Sequence, residues 1–160
     1  VLLPWGDEAE RSRADHIAQR TGATVLPKLS LSGLATQLAS VSGVIAVDTG
    51  LGHLAAALAR PTLSLYGPTD PGLSGTYGVS QKHLCSTFAC APCLKKTCAY
   101  KGPAVLDNDK TVAPPCFSMH PPASVWQTFE ALLAEAALGR PKSYYDTSGY
   151  DNSNNGSTGK

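Results

Sequence analysis

The residues with the clearest capacity for chemistry form the stretch Asp48-Thr-Gly-Leu-Gly-His53. The apolar run Val44–Val47 precedes it and indicates a strand, and an alanine-rich run after it indicates a short helix over 52–59. A helix that begins directly after a strand presents free backbone N–H groups and the positive end of its dipole, which together bind anions. Glycines at positions 50 and 52 are expected to let a ligand approach the backbone closely.

The imidazole of His53 lies one turn inside this predicted helix, within reach of an anion at the helix mouth. A second polar loop, Tyr-Gly-Pro-Thr-Asp-Pro over 66–71, ends the next predicted strand, Thr62–Tyr66. Neighbouring strands of an open parallel sheet form a ligand crevice at their carboxyl ends. We therefore predict a diphosphate site at 48–53. The alternative is an ordinary capped helix that carries a surface histidine.

The elements that must position this site alternate between strands and helices. Strands are predicted over 1–4 and 24–26, and helices over 7–20 and from Ser30 onward. The runs Val44–Val47 and Thr62–Tyr66 are expected to be strands buried on both faces of a parallel sheet. This alternation predicts an α/β fold with a doubly wound parallel sheet.

The sequence divides into a domain over 1–139 and a polar tail over 140–160, which is expected to be disordered. Within the domain, 79–120 shows little periodicity and is predicted to be a cysteine-bearing loop, and 123–138 is predicted to be a last helix. The chain begins at Val1 inside an apolar run, which indicates that the domain is N-terminally incomplete.

Composition excludes several functional classes. A net charge of +1 on 160 residues supplies no field that would gather nucleic acid. No apolar run approaches the roughly 18 residues needed to span a bilayer, and no signal-peptide pattern is present, so a cytoplasmic location is expected.

Five cysteines lie in the predicted loop: Cys85, Cys90, Cys93, Cys98 and Cys116. The last four offer a chelating Cys-x-x-Cys pair and two further thiols, the ligand set of a tetrahedral zinc site. Structural zinc, buried free thiols and a disulfide are all compatible with the pattern. Cys85 is expected to be the odd thiol.

These motifs together resemble a known family. Asp48-Thr-Gly-Leu-Gly-His53, combined with Leu65-Tyr-Gly-Pro-Thr-Asp-Pro71, is similar to the signature of the lipopolysaccharide heptosyltransferases, glycosyltransferase family nine. Leu3-Pro-Trp-Gly6 and Leu26-Pro-Lys-Leu-Ser30 resemble its heptosyltransferase I branch. The resemblance is close over residues 1–78. It implies a GT-B architecture, of which this chain would be the C-terminal, Rossmann-like, donor-binding half.

The resemblance also implies which residues contact the donor: Asp48, Thr49, Gly50, His53, Glu10 and Leu29. The first four would hold the diphosphate and the donor sugar, Glu10 would hydrogen-bond the ribose, and the backbone at Leu29 would receive the adenine. Judged from the residues alone, Glu10 can equally be a solvated acid in the first helical turn, and Leu29 simple core. No residue of this chain is assignable as the catalytic base, which the family supplies from its N-terminal domain.

The implied reaction is transfer of L-glycero-D-manno-heptose from ADP-heptose to Kdo of the lipopolysaccharide inner core, with inversion and no required cofactor. Helix N–H groups and an imidazole can stabilise a departing diphosphate without a metal. The implied partners are the absent N-terminal domain, the inner-core acceptor and the cytoplasmic face of the inner membrane. Two alternatives stay open: another GT-B nucleotide-sugar transferase, and a non-catalytic nucleotide-binding module.

Overall fold

The computed structural model of the chain describes residues 1–139, so the predicted tail lies outside the described residues. The elements, in chain order, are β1 (Leu2–Leu3), α1 (Glu8–Thr21), β2 (Thr24–Val25), α2 (Leu31–Ser40), β3 (Val44–Val47), α3 (Gly50–Ala57), β4 (Thr62–Tyr66), α4 (Pro71–Ser74), β5 (Gln81–Cys85), β6 (Leu106–Asp107), β7 (Lys110–Thr111), a 3₁₀ helix (Pro115–Met119) and α5 (Pro122–Ala137). None of the helices within residues 1–139 is long and apolar enough to cross a bilayer.

Two parallel sheets carry the loops of interest, and they confirm the predicted α/β class. The larger sheet has the order β3-β4-β5, with Val44 opposite Thr62 and Thr62 opposite Gln81. The smaller sheet pairs β1 with β2, with Leu2 opposite Thr24. Parallel strands of one sheet end at the same edge, so the loops after β3 and β4 lie side by side.

The core is centred on β4 and α5. Leu63 of β4 is fully buried and packs against Val125, Phe129 and Leu132, which recur on one face of α5 at helical spacing. The predicted last helix, and the side of it that is apolar, are therefore confirmed. This packing holds the central strand that leads to the predicted site.

The expectation that both apolar runs are buried strands is right for β4 and wrong for β3. Ile45 and Val47 are 40% and 43% exposed, and only the alternate residues of β3 are half-buried. The reason is position, because β3 lies at the edge of the three-stranded sheet and one of its faces is not covered by described residues. An apolar run does not by itself distinguish an edge strand from a central one.

The predicted loop over 79–120 also needs correction, because it contains β5. The sequence of this strand, Gln-Lys-His-Leu-Cys, shows little apolar character, and its strand conformation comes from pairing along the whole length of β4. Further along, β6 and β7 form an antiparallel hairpin whose four strand residues are all exposed.

Candidate functional site

The first turn of α3 is open, unlike the first turns of the two preceding helices. Asp7 and Ser30 cap α1 and α2 by accepting hydrogen bonds from backbone N–H groups at 2.8 and 3.2 Å. Thr49 occupies the corresponding position before α3, and its side chain makes no capping bond. The Thr49 side chain therefore leaves the N–H groups of this turn uncapped, which an anion-binding helix terminus requires.

The two glycines of this turn have different roles. A Cβ added at Gly50 would meet nothing within 4 Å, so there is open space beside this backbone. Gly52 is buried, and a Cβ there would lie 3.3 Å from the Ala46 Cβ on β3. The expected ligand approach at Gly52 is therefore wrong. This glycine lets α3 pack closely on the sheet.

Asp48 and His53 lie together at the mouth of α3. The His53 Nε2 is 3.7 Å from the Asp48 Oδ1, and the two side chains are 44% and 19% exposed. The Ser74 hydroxyl, from the end of α4, donates to the Asp48 Oδ2 at 2.9 Å. The carboxylate is thus held by the loop after β4, while the imidazole keeps an accessible face.

This contact shows that the stretches after β3 and β4 lie side by side. Tyr66, the last residue of β4, is 1% exposed, and its hydroxyl lies 3.5 Å from the Ser74 carbonyl oxygen. Burial raises the pKa of Tyr66, and the nearby Asp48 charge raises it further. The Tyr66 phenol is therefore neutral at physiological pH, and it adds no charge next to the Asp48 carboxylate.

A half-buried histidine on β5 packs against Tyr66. The His83 ring packs edge-on against Tyr66, with centroids 5.3 Å apart, and its Nε2 lies 2.9 Å from the Thr76 hydroxyl oxygen. Burial lowers the pKa of His83, a hydrogen bond with the Thr76 backbone partly opposes this shift, and the nearby His53 adds to it. His83 is accordingly neutral near pH 7, and of these two histidines His53 is the one that faces the crevice.

The other two predicted donor contacts lie at the carboxyl edge of the smaller sheet. Glu10 is exposed, and its Oε2 accepts a hydrogen bond from the Gly6 N–H at 2.6 Å. Leu29 is half-buried and lies over the first turn of α2, close to Gly33. Within the described chain, no hydrogen bond or ion pair joins Glu10 or Leu29 to Asp48 or His53. Their roles stay predictions.

The fold brings four of the five cysteines to one place. Cys90, Cys93, Cys98 and Cys116 line a cavity of about 60 Å³, whereas Cys85 lies in β5 and does not line it. Cys116 is buried; burial raises its thiol pKa, and the other three thiols raise it further. In residues 1–139, no three histidine, cysteine or acidic side chains are already arranged to hold a metal ion.

With this geometry in hand, comparison with known proteins identifies the family. The sequence profile described as glycosyltransferase family 9 (heptosyltransferase) matches residues 1–103. The chain belongs to glycosyltransferase family 9. Lipopolysaccharide heptosyltransferase 1 of Pseudomonas aeruginosa is 54% identical over 138 residues, which cover 83% of this chain and 39% of that protein. The corresponding protein of Salmonella typhimurium is 51% identical over 87 residues, or 54% of this chain and 27% of its own length.

A solved structure agrees with the family. The structure described as E. coli heptosyltransferase WaaC with ADP matches 51% of this chain and 26% of that one, with 52% sequence identity and a TM-score of 0.50. The chain thus spans about two fifths of the length of the Pseudomonas relative and about a quarter of the E. coli one.

The sequence of this family 9 chain did not reveal two residues that support the site. Ser74 donates a hydrogen bond to Asp48, and His83 packs against Tyr66. No helix is predicted around Ser74, yet Asp70-Pro71 is a recognisable helix start, with Asp70 as the cap and proline in the first turn. That signal predicts α4. His83 carries no comparable signal, because its position depends on the pairing of β5 with β4.

Proposed function

We propose that the protein containing this chain is an ADP-heptose:lipopolysaccharide heptosyltransferase, and that the chain forms one wall of its donor site. The observation that carries the proposal is the uncapped first turn of α3, with the accessible His53 held beside Asp48. The names of the relatives support the donor and acceptor classes, and one relative was solved with ADP.

The geometry suits a departing diphosphate. In the transfer, the bond between the anomeric carbon and the diphosphate oxygen breaks, and negative charge grows on the leaving group. The N–H groups at the α3 terminus and the His53 imidazole would donate hydrogen bonds to that charge, which is the largest kind of catalytic contribution in such reactions. Asp48 would position His53 and lie near the sugar. The acceptor hydroxyl attacks the opposite face of the sugar and inverts the anomeric centre.

The nucleoside end would lie at the smaller sheet. We assign Glu10 to the ribose hydroxyls and the Lys28–Leu29 backbone to the adenine, at adjacent ends of the parallel strands β1 and β2. Glu10 would exchange its bond from the Gly6 N–H for one from the ribose. A domain outside this chain would bind the Kdo acceptor and supply the base, at the cytoplasmic face of the inner membrane.

Calorimetry of the full-length protein tests the proposal. ADP should bind, and His53→Ala should weaken ADP binding by about 1.5–3 kcal/mol, because a hydrogen bond to a charged group is lost. His16→Ala is the matched control, since His16 is an exposed histidine on α1, and it should leave the affinity unchanged.

Three outcomes would contradict parts of the proposal. If the protein does not bind ADP, the assignment of a donor site is wrong. If it binds UDP as tightly as ADP, another nucleotide-sugar transferase is favoured. Tight ADP binding without heptose transfer to a Kdo-terminated acceptor would favour the non-catalytic nucleotide-binding module.

A further inference from the structure

The stretch between β5 and the 3₁₀ helix, residues 86–114, has no core of its own. None of these residues is buried, and the only regular elements within this fully described stretch are the two-residue strands β6 and β7. A segment of this length without buried apolar surface normally needs a covalent or metal cross-link to keep one conformation.

The described contacts that attach this segment are few and lie near its cysteines. The Leu94 N–H donates to the Pro68 carbonyl oxygen at 2.8 Å. The Ser86 hydroxyl donates to the Cys116 carbonyl oxygen, also at 2.8 Å. Cys116 itself is packed so closely on Gly67 that a Cβ at Gly67 would lie 2.8 Å from its Sγ. One thiol is thus fixed in the protein body, directly against the loop after β4.

The remaining thiols face the same cavity from the segment. Cys93 is half-buried, while Cys90 and Cys98 are exposed, and all three line the cavity with Cys116. The cavity is also lined by Lys95 and Lys96. Four thiolates around a divalent zinc ion carry a net charge of −2, and two lysine ammonium groups can balance it.

We propose that Cys90, Cys93, Cys98 and Cys116 bind one structural zinc ion that fastens the 86–114 segment to the Gly67–Pro68 turn. Zinc is the ion that four cysteine ligands favour, and the Cys-x-x-Cys spacing supplies two neighbouring ligands, although the four side chains are not yet gathered around one point. Binding replaces the four thiol protons, which are released to solvent, and involves no oxidation. Cys90 and Cys98 would close on the ion as it binds, because a metal site commonly forms together with the local fold.

The zinc content of the 160-residue chain, purified without chelator, tests this. We expect about one zinc per chain by elemental analysis, with the metal lost from Cys93→Ser and Cys116→Ser. Cys85→Ser is the matched control: Cys85 does not line the cavity, so this variant should keep its zinc. Should a variant at the buried Cys116 fail to fold, Cys90→Ser and Cys98→Ser change exposed residues and should lose the metal without loss of packing.

A second readout follows the segment directly. Trypsin cleavage after Lys95, Lys96 and Lys101 should accelerate when zinc is removed by chelator and slow again when zinc is restored, because the ion holds these residues in place. Cobalt substitution should give the visible absorption of a tetrahedral thiolate site. Absence of zinc together with no cobalt spectrum would overturn the proposal. So would full zinc content in the Cys93→Ser and Cys116→Ser variants, or an intact mass that shows a disulfide among the four cysteines.

Discussion

The β3-β4-β5 sheet with α5 and the cysteine segment over 86–114 lie against each other but are held in different ways. In the first, Leu63 and Tyr66 of β4 are almost completely buried, and α5 covers the sheet with an apolar face. In the second, no residue is buried, and its three thiols share one cavity with Cys116. The candidate donor site lies on the first region, where a rigid strand end can position Asp48 and the start of α3. The second region contacts the elements of that site through two backbone hydrogen bonds of 2.8 Å, from the Ser86 N–H to the Tyr66 carbonyl oxygen and from the Leu94 N–H to the Pro68 carbonyl oxygen.

The sharpest test of this difference is a matched pair of leucine truncations. Leu63→Ala should lower the free energy of unfolding by about 2–5 kcal/mol, because it leaves a cavity in the core that β4 forms with α5. Leu106→Ala, on the 58% exposed hairpin strand β6, should change it by less than about 0.5 kcal/mol. Urea denaturation measures both. Equal losses in the free energy of unfolding would show that Leu106 is packed as tightly as a core residue, which would contradict the difference between the two regions.

A smaller effect is expected from the polar contact behind the site. Ser74→Ala removes the hydrogen bond to the Asp48 Oδ2, and it should lower the free energy of unfolding by about 1.5 kcal/mol, because the acceptor is charged and largely buried. The control is Thr87→Ala, which removes the hydroxyl of an exposed threonine in the cysteine segment. If Thr87→Ala lowers the free energy of unfolding, or if Ser74→Ala does not, stabilising polar contacts are not confined to the sheet region.

The half-buried His83 predicts that the stability of the sheet side depends on pH. Because burial holds its pKa below the ordinary value of 6.5, the unfolded chain binds a proton that the folded chain resists. Stability should therefore fall as pH drops through the unfolded value, from about pH 7.5 towards about pH 5.5. His83→Gln keeps a hydrogen-bonding group near Thr76 and should flatten part of this slope in urea titrations. His16→Gln is the matched control, because His16 is an exposed histidine on α1, away from Tyr66 and Thr76.

The smallest effect is expected at the hairpin of the cysteine segment. Asn108 and Asp109 have φ of +46° and +63°, the combination that a tight two-residue hairpin turn requires and that glycine adopts most readily. Asp109→Gly should make the turn locally more favourable, while the global free energy of unfolding changes by less than about 0.5 kcal/mol. A large global change would show that this hairpin folds cooperatively with the sheet.

Much of the local structure was predictable from short-range signals. Asp7 and Ser30 begin α1 and α2 as capping residues, and Gly22 ends α1 with φ of +70°, as their residue types indicate. The strand before Asp48 and the short helix after it were also evident, and with them the prediction of an anion site. Each of these features depends on contacts within a few residues, which a sequence pattern records directly.

Long-range features were not predictable, because they depend on which strands pair and which faces are covered. The apolar run of β3 reads as a buried strand, yet its edge position leaves Ile45 and Val47 exposed. The polar run of β5 is typical of a loop, yet pairing with β4 makes it a strand and packs His83 against Tyr66.

What the sequence by itself determined is the family, the order of the main elements and the residue types at the mouth of α3. What only the tertiary structure decided is that Ser74 holds Asp48 from 26 residues away, and that Cys116 shares a cavity with the Cys90–Cys98 thiols. The physical reason is that hydrogen bonding at helix ends is local, whereas burial and strand pairing join segments that are distant in the chain.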